Sequence, residues 1–184
     1  MAQDTRTRIL DAALSQFVAR GVAAVAVTDL EKAAGLSPGS GSFYRHFRSK
    51  QDVLAVVVAR EIDRAEARRS SIGPGSDLET EYGRALDALI AMRPLTALLV
   101  REGTMLPDIE RIYEVLADGG ARIDAADLRA RMEAGAIPHR DADAVATAVM
   151  MSLVGYHLAE QFFGTPVGVD RARFVKALAS LVGA

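Results

Sequence analysis

Apolar residues recur at helical spacing from the start of the chain. Ile9/Leu10, Ala13/Leu14 and Phe17/Val18 fall four residues apart, which predicts an amphipathic helix over about 5–20 that Gly21 stops. The Val-rich stretch 22–27 has the β-branching of a short strand but no nearby pairing partner, so it reads as the entry to a second helix near 28–34, ended by Gly35. Ser37-Pro38-Gly39-Ser40-Gly41 is a turn, and a short third helix is expected over about 42–47. Ser49 and Asp52 are spaced as in a capping box and open a fourth helix, about 50–69, whose Val53/Leu54, Val57/Val58 and Ile62 share one face before the sequence turns polar.

Ser71-Ile72-Gly73-Pro74-Gly75-Ser76 is the clearest linker, with Ser76 and Glu79 placed to cap the next helix. Helical periodicity then predicts segments over about 78–91, 94–104, 108–134, 142–163 and 171–182, with Pro94 and Pro107 in first turns and Gly119-Gly120 kinking or breaking the long segment. The expected fold is all-α, with about nine helices. Residues 1–50 form a three-helix head with a helix-turn-helix, 50–69 connect, and 71–184 form a helical-bundle body.

With half of its 184 residues apolar, the chain can bury a real core. The net charge of −2 hides an asymmetry: residues 1–50 hold seven Lys/Arg against four Asp/Glu, whereas 51–184 hold fifteen against twenty. A basic head on an acidic body suits a protein that meets phosphates at one end. The absence of cysteine removes disulfides and thiolate metal sites, and the opening MAQDTRTRIL has no apolar signal core, so a cytoplasmic protein is expected. The longest uncharged run, Ala144–Ala159, is 16 residues. It falls short of the about 20 that a membrane span needs, and a buried helix explains it without a membrane.

Two short helices joined by a glycine-containing turn are what presents a helix N-terminus to the major groove. Phe17, Gly21, Val27, Asp29-Leu30, Ala33-Ala34-Gly35-Leu36-Ser37 and the unbroken Phe43-Tyr44-Arg45-His46-Phe47-Arg48-Ser49-Lys50 resemble the N-terminal signature of TetR-type (tetracycline-repressor-like) regulators. That resemblance implies a sequence-specific transcriptional regulator, a repressor released from double-stranded operator DNA by a small amphipathic effector and acting as a homodimer. It also implies DNA contacts from Thr28, Ser40, Gly41, Ser42, Tyr44, Arg45 and His46, with Lys50 on a phosphate and Phe43 and Phe47 as core. Three departures stand out. The turn is two residues longer than usual, Val25-Ala26 replace the usual helix-capping Thr or Ser, and Glu31 replaces a small residue at the helix crossing.

In the body, the 142–163 segment is apolar on two sides. One side can face the chain's own core, and Met151, Val154, Leu158 and Phe162, with Phe174, Leu178 and Leu181, are expected to meet a second subunit. Tyr82, Met92, Leu95, Leu99, Arg101, Glu102, Met105, Tyr113, Met132 and His157 are the expected effector-pocket residues. Enzymatic chemistry is poorly supplied: three histidines, no Gly-x-Ser-x-Gly and no phosphate loop. His139/Asp141/Asp143 reads as a helix N-cap, so neither metal nor cofactor is expected. The competing reading is a helical protein-interaction module whose basic head binds an acidic partner.

Overall fold

Amphipathic periodicity in the first 20 residues becomes helix α1 (Thr5–Arg20), which buries Ile9, Leu10, Ala13 and Phe17 and ends where Gly21 donates its N–H to the Phe17 carbonyl. The molecule, analysed as a computed structural model, is described for residues 4–71 and 77–184, and those residues are helical with no strand. The rest of the architecture is α2 (Val27–Ala33), a 3-10 turn at Phe43–Arg45, α3 (Lys50–Ser71), α4 (Leu78–Ala91), α5 (Arg93–Glu102), α6 (Ile109–Tyr113), α7 (Gly119–Glu133), α8 (Ala142–Phe163) and α9 (Arg171–Gly183). The Val-rich stretch is a helix entry, with Val22 and Val25 buried.

Two expected elements differ in form. The third helix, read over 42–47, is only a 3-10 turn, because the Phe43 N–H is taken by a side chain and Ser49 caps α3 almost at once through the Asp52 N–H at 3.1 Å. The long 108–134 helix is interrupted by a π-helical segment, Glu114–Asp118, just before Gly119-Gly120. A Cβ on Gly119 would meet the Arg69 guanidinium and one on Gly120 the Met150 methyl, the far ends of flexible side chains that would have to shift. Pro107 lies outside the helix it was expected to open, since α6 begins at Ile109.

Chain contacts divide the molecule into two compact units. One contains α1, α2, α3 as far as Arg64, and Pro94–Ile109; the other contains Ala65–Arg93 and Glu110–Ala184. The expected body began at residue 71 and included the α5 region, which groups instead with the head. The head core is Ile9, Phe17, Leu30, Phe43, Val57 and Leu98, each fully buried or nearly so. In the second unit α7 packs on α8, and α4 on α8 and α9, around Leu86, Leu128 and Leu153. Of the expected linker Ser71–Ser76, Ser71 ends α3, and residues 72–76, with the expected Ser76 cap, lie outside the described residues. Asp77 caps α4, accepting from the Thr80 N–H at 2.8 Å, and Asp141 and Asp170 cap α8 and α9 in the same way.

Phe17 sits at the centre of the head with no exposed surface. Phe17→Ala should cost about 3–5 kcal/mol through lost burial and the cavity left behind, read as a lower urea midpoint for loss of helicity.

Candidate functional site

The head is organised around a carboxylate. Glu31, on α2, is 1% exposed. Its Oε2 accepts the Gly39 N–H at 2.6 Å and its Oε1 the Phe43 N–H at 3.2 Å. The Phe43 N–H is buried and the Gly39 N–H part-buried, in a turn where Gly39 and Gly41 hold left-handed φ values of 77° and 73°. The Glu31 carboxylate thus fastens the turn to α2.

This turn sets out the expected DNA-facing residues. Ser40 and Ser42 pair their hydroxyls at 2.8 Å. Tyr44 stands edge-on to the buried Phe43 ring at 5.3 Å and is 63% exposed. Thr28 and Arg45 are exposed, Gly41 and His46 are half-buried, and Phe47 is buried with the Arg6 guanidinium 5.0 Å above its ring. Lys50 is placed differently. Its Nζ donates to the carbonyls of Val22 at 2.8 Å and Val25 at 2.6 Å, with Ala23 at 3.4 Å. Three acceptors use all three ammonium donors, so Lys50 clamps the α1–α2 loop.

The same loop is held from two more directions. The Glu102 carboxylate, at the end of α5, accepts the Val22 N–H at 2.9 Å. Asp29 reaches back to the Ala26 N–H at 3.1 Å and pairs with Arg20 at 3.0 Å, which supplies the missing helix cap. Those two bonds hold the Asp29 carboxyl below its ordinary pKa.

In the second unit a cavity of about 320 Å³ lies against α3, α4, the π-helical segment, α7 and α8. Its walls are mostly apolar, with Ala88, Leu89, Leu116, Val149 and Leu153. Tyr82 and Asp124 also line it, and among the described residues neither the Tyr82 hydroxyl nor Asp124 Oδ2 has a partner. Glu81 and Asp127 share the Arg131 guanidinium, Glu81 at 3.0 Å. Burial first, then the neighbouring Glu81 and Asp127 charges, push the Asp124 carboxyl up to about 7, against the opposing pull of Arg131.

Of the expected pocket residues, Tyr82 and Met92 line this cavity. Leu95, Leu99, Arg101, Glu102 and Met105 belong to the α5 region of the head, Met105 being 83% exposed. Tyr113 is exposed, and Met132 and His157 are buried in the second unit's core without lining the cavity. Burial lowers the His157 pKa, with Arg93 adding to it. Asp124 was legible only as a charge four residues before the core Leu128, in the register of a buried stripe. On α8 and α9, Met151, Phe162 and Leu181 are exposed and Val154, Leu158, Phe174 and Leu178 half-buried, with Phe174 stacked 4.2 Å from Tyr156. Phe163, not anticipated, is 90% exposed. By length and composition α8 could cross a membrane, but in this structure it packs in the bundle with 39% of its apolar window buried.

A helix-turn-helix in an all-α chain is the class these features define. Residues 9–57 match the family model of bacterial regulatory proteins of the tetR family. The HTH-type transcriptional regulator AcrR of Shigella flexneri is 33% identical over 113 residues, covering 60% of this chain and 46% of that protein. The chain spans about half the length of the curated relatives it matches. Among solved structures, the ketosteroid transcriptional regulator KstR2 of Mycobacterium tuberculosis has a TM-score of 0.69 at 20% identity, covering 100% of this chain and 97% of that one. AibR, in complex with isovaleryl coenzyme A and operator DNA, has a TM-score of 0.62 at 13% identity, covering 98% of each chain. Both share the fold.

Glu31→Ala should orphan the buried Phe43 N–H at about 1–3 kcal/mol and release the part-buried Gly39 N–H, seen as faster amide exchange at Gly39 and Phe43. Asp124 yields a pH prediction. A folded-state pKa raised to about 7 means the unfolded carboxyl ionises first, so stability falls as pH rises from about 4 to 7 and stays reduced above. Relative to Asp124→Asn, the wild type should lose thermal stability from pH 5 to pH 8; parallel curves would contradict the assignment.

Proposed function

We propose that the protein is a non-enzymatic, sequence-specific DNA-binding regulator, a cytoplasmic repressor that works as a homodimer and leaves its operator when a small molecule enters the second-unit cavity. The observation that carries the reading is the row of exposed Ser40, Tyr44 and Arg45 with half-buried Ser42, at a turn whose two neighbouring N–H groups are fastened by the buried Glu31. A rigid, exposed, basic-aromatic edge next to a short helix is what a groove reader requires. Ser40, Gly41 and Ser42 allow close approach, Tyr44 and Arg45 offer hydrogen bonds to bases or phosphates, and Thr28 and His46 flank them. Lys50 acts through the loop it clamps. The tetR-family match over the head and the operator DNA in the AibR structure support the same reading.

The homodimer rests on Met151, Phe162, Phe163 and Leu181, apolar side chains exposed on α8 and α9 of one unit. A second copy that covers this face brings two heads to two half-sites about one helical turn apart. Effector response rests on connectivity. The cavity wall includes α4 and Met92, the chain passes directly into α5, and α5 ends at Glu102, whose carboxylate holds Val22 in the head. A ligand that displaces α4 therefore has a covalent route to the loop beside the reading edge. It acts only through its preference for the displaced state.

Selection from random duplex should return a palindromic site, with affinity that falls steeply with salt. Arg45→Ala should weaken that site by about 1–3 kcal/mol while leaving helicity intact. Lack of enrichment at low salt would overturn the DNA reading, and a non-palindromic site the homodimer.

A further inference from the structure

The second-unit cavity has an apolar wall and an electrostatic imbalance. Three carboxylates, Glu81, Asp124 and Asp127, reach it, and the Arg131 guanidinium bridges Glu81 and Asp127 alone. Of the arginines that also line it, Arg69 is tied to the Glu114 carbonyl at 3.2 Å and packed against Gly119, and Arg84 is largely exposed. Asp124 Oδ2 is left with no protein partner among the described residues. Beside it, Tyr82 is 2% exposed, and its hydroxyl likewise has none. Buried polar atoms are nearly always paired, so two orphans that line one apolar cavity mark where the polar atoms of a ligand sit.

Resting on the proposal that this cavity is the effector site, we propose that it takes an organic cation with an apolar body, whose charge meets the Asp124 carboxylate while the Tyr82 hydroxyl contacts the same polar head. An anion would face the Asp124 carboxylate, the one of the three that Arg131 does not bridge, across a low-dielectric space. A neutral ligand would leave the Asp124 charge unbalanced whenever the carboxyl is ionised. A cation supplies what Arg131 supplies to Glu81 and Asp127. The volume of about 320 Å³ suits a small amphiphile, and Leu89, Leu116, Val149 and Leu153 provide its apolar surroundings.

The test is calorimetric titration of the full chain with octyltrimethylammonium, octanol and octanoate, followed by operator binding in the presence of each. The cation should bind at least tenfold more tightly than the other two and release the operator. Asp124→Asn should weaken the cation at least tenfold and leave octanol unchanged, which also shows that the variant is folded. Tyr82→Phe should give a smaller loss for the cation. Equal or tighter binding of octanol or octanoate, or an unaltered cation affinity in Asp124→Asn, overturns the cation proposal while the effector site stands. Cation binding that depends on Asp124 but does not release the operator keeps the cation site and overturns the effector reading. No binding of any of the three overturns both.

Discussion

A single buried carboxylate holds in shape the edge proposed to face DNA. Glu31 lies on α2 against the turn at 37–42, where a smaller side chain would leave the buried Phe43 N–H without an acceptor and the Gly39 N–H untied. Apart from Thr28 on α2, the residues proposed to touch DNA lie on that turn or follow it directly. Phe43 is anchored from below by packing and from its N–H by Glu31, and the exposed Tyr44 and Arg45 follow it directly in the chain.

The loop between α1 and α2 follows the same logic with the opposite charge. Its carbonyls have no helical partners, and the Lys50 ammonium, at the start of α3, satisfies three of them, while Glu102 takes the Val22 N–H from the other polarity of the backbone. Two long charged side chains thus replace the hydrogen bonds that regular structure would have provided. Because Glu102 ends α5 and Lys50 begins α3, the loop is held by the two helices whose other ends lead, by chain connectivity, toward the cavity-lining residues Met92, Ala65 and Arg69.

The cavity differs from the head in that its polar groups are left open. Arg131 quenches two carboxylates, and the third, Asp124, stays in a poorly solvated space with its pKa pushed up to about 7. Such a group is a cost to the empty fold, tolerable in a domain with a large apolar core. It is the kind of local inconsistency expected where a ligand, rather than stability, determines the residue. The π-helical segment beside Gly119-Gly120 fits this picture, since Val115 and Leu116 of that turn reach the cavity wall.

The all-helical fold and the location of the head could be read from the chain alone, because a spacing of 3.6 residues, glycine stops and N-cap acids are local physics, and Phe17, Leu30, Phe43 and Phe47 lie in register with it. The eight-residue run ending at Lys50 likewise marked its own position. What Lys50 does, and why Glu31 is tolerated, depends on which backbone groups lie within 3 Å of their side-chain tips, and that is set by segments distant in sequence. The same holds for the pocket. Helical periodicity could mark Tyr82 and Met92 as inward-facing, but Leu95, Leu99 and Glu102 have the same periodicity, and only the packing assigns their segment to the head and leaves Asp124 facing a cavity. Periodicity determines which face of a helix is buried. Only the tertiary structure decides against what.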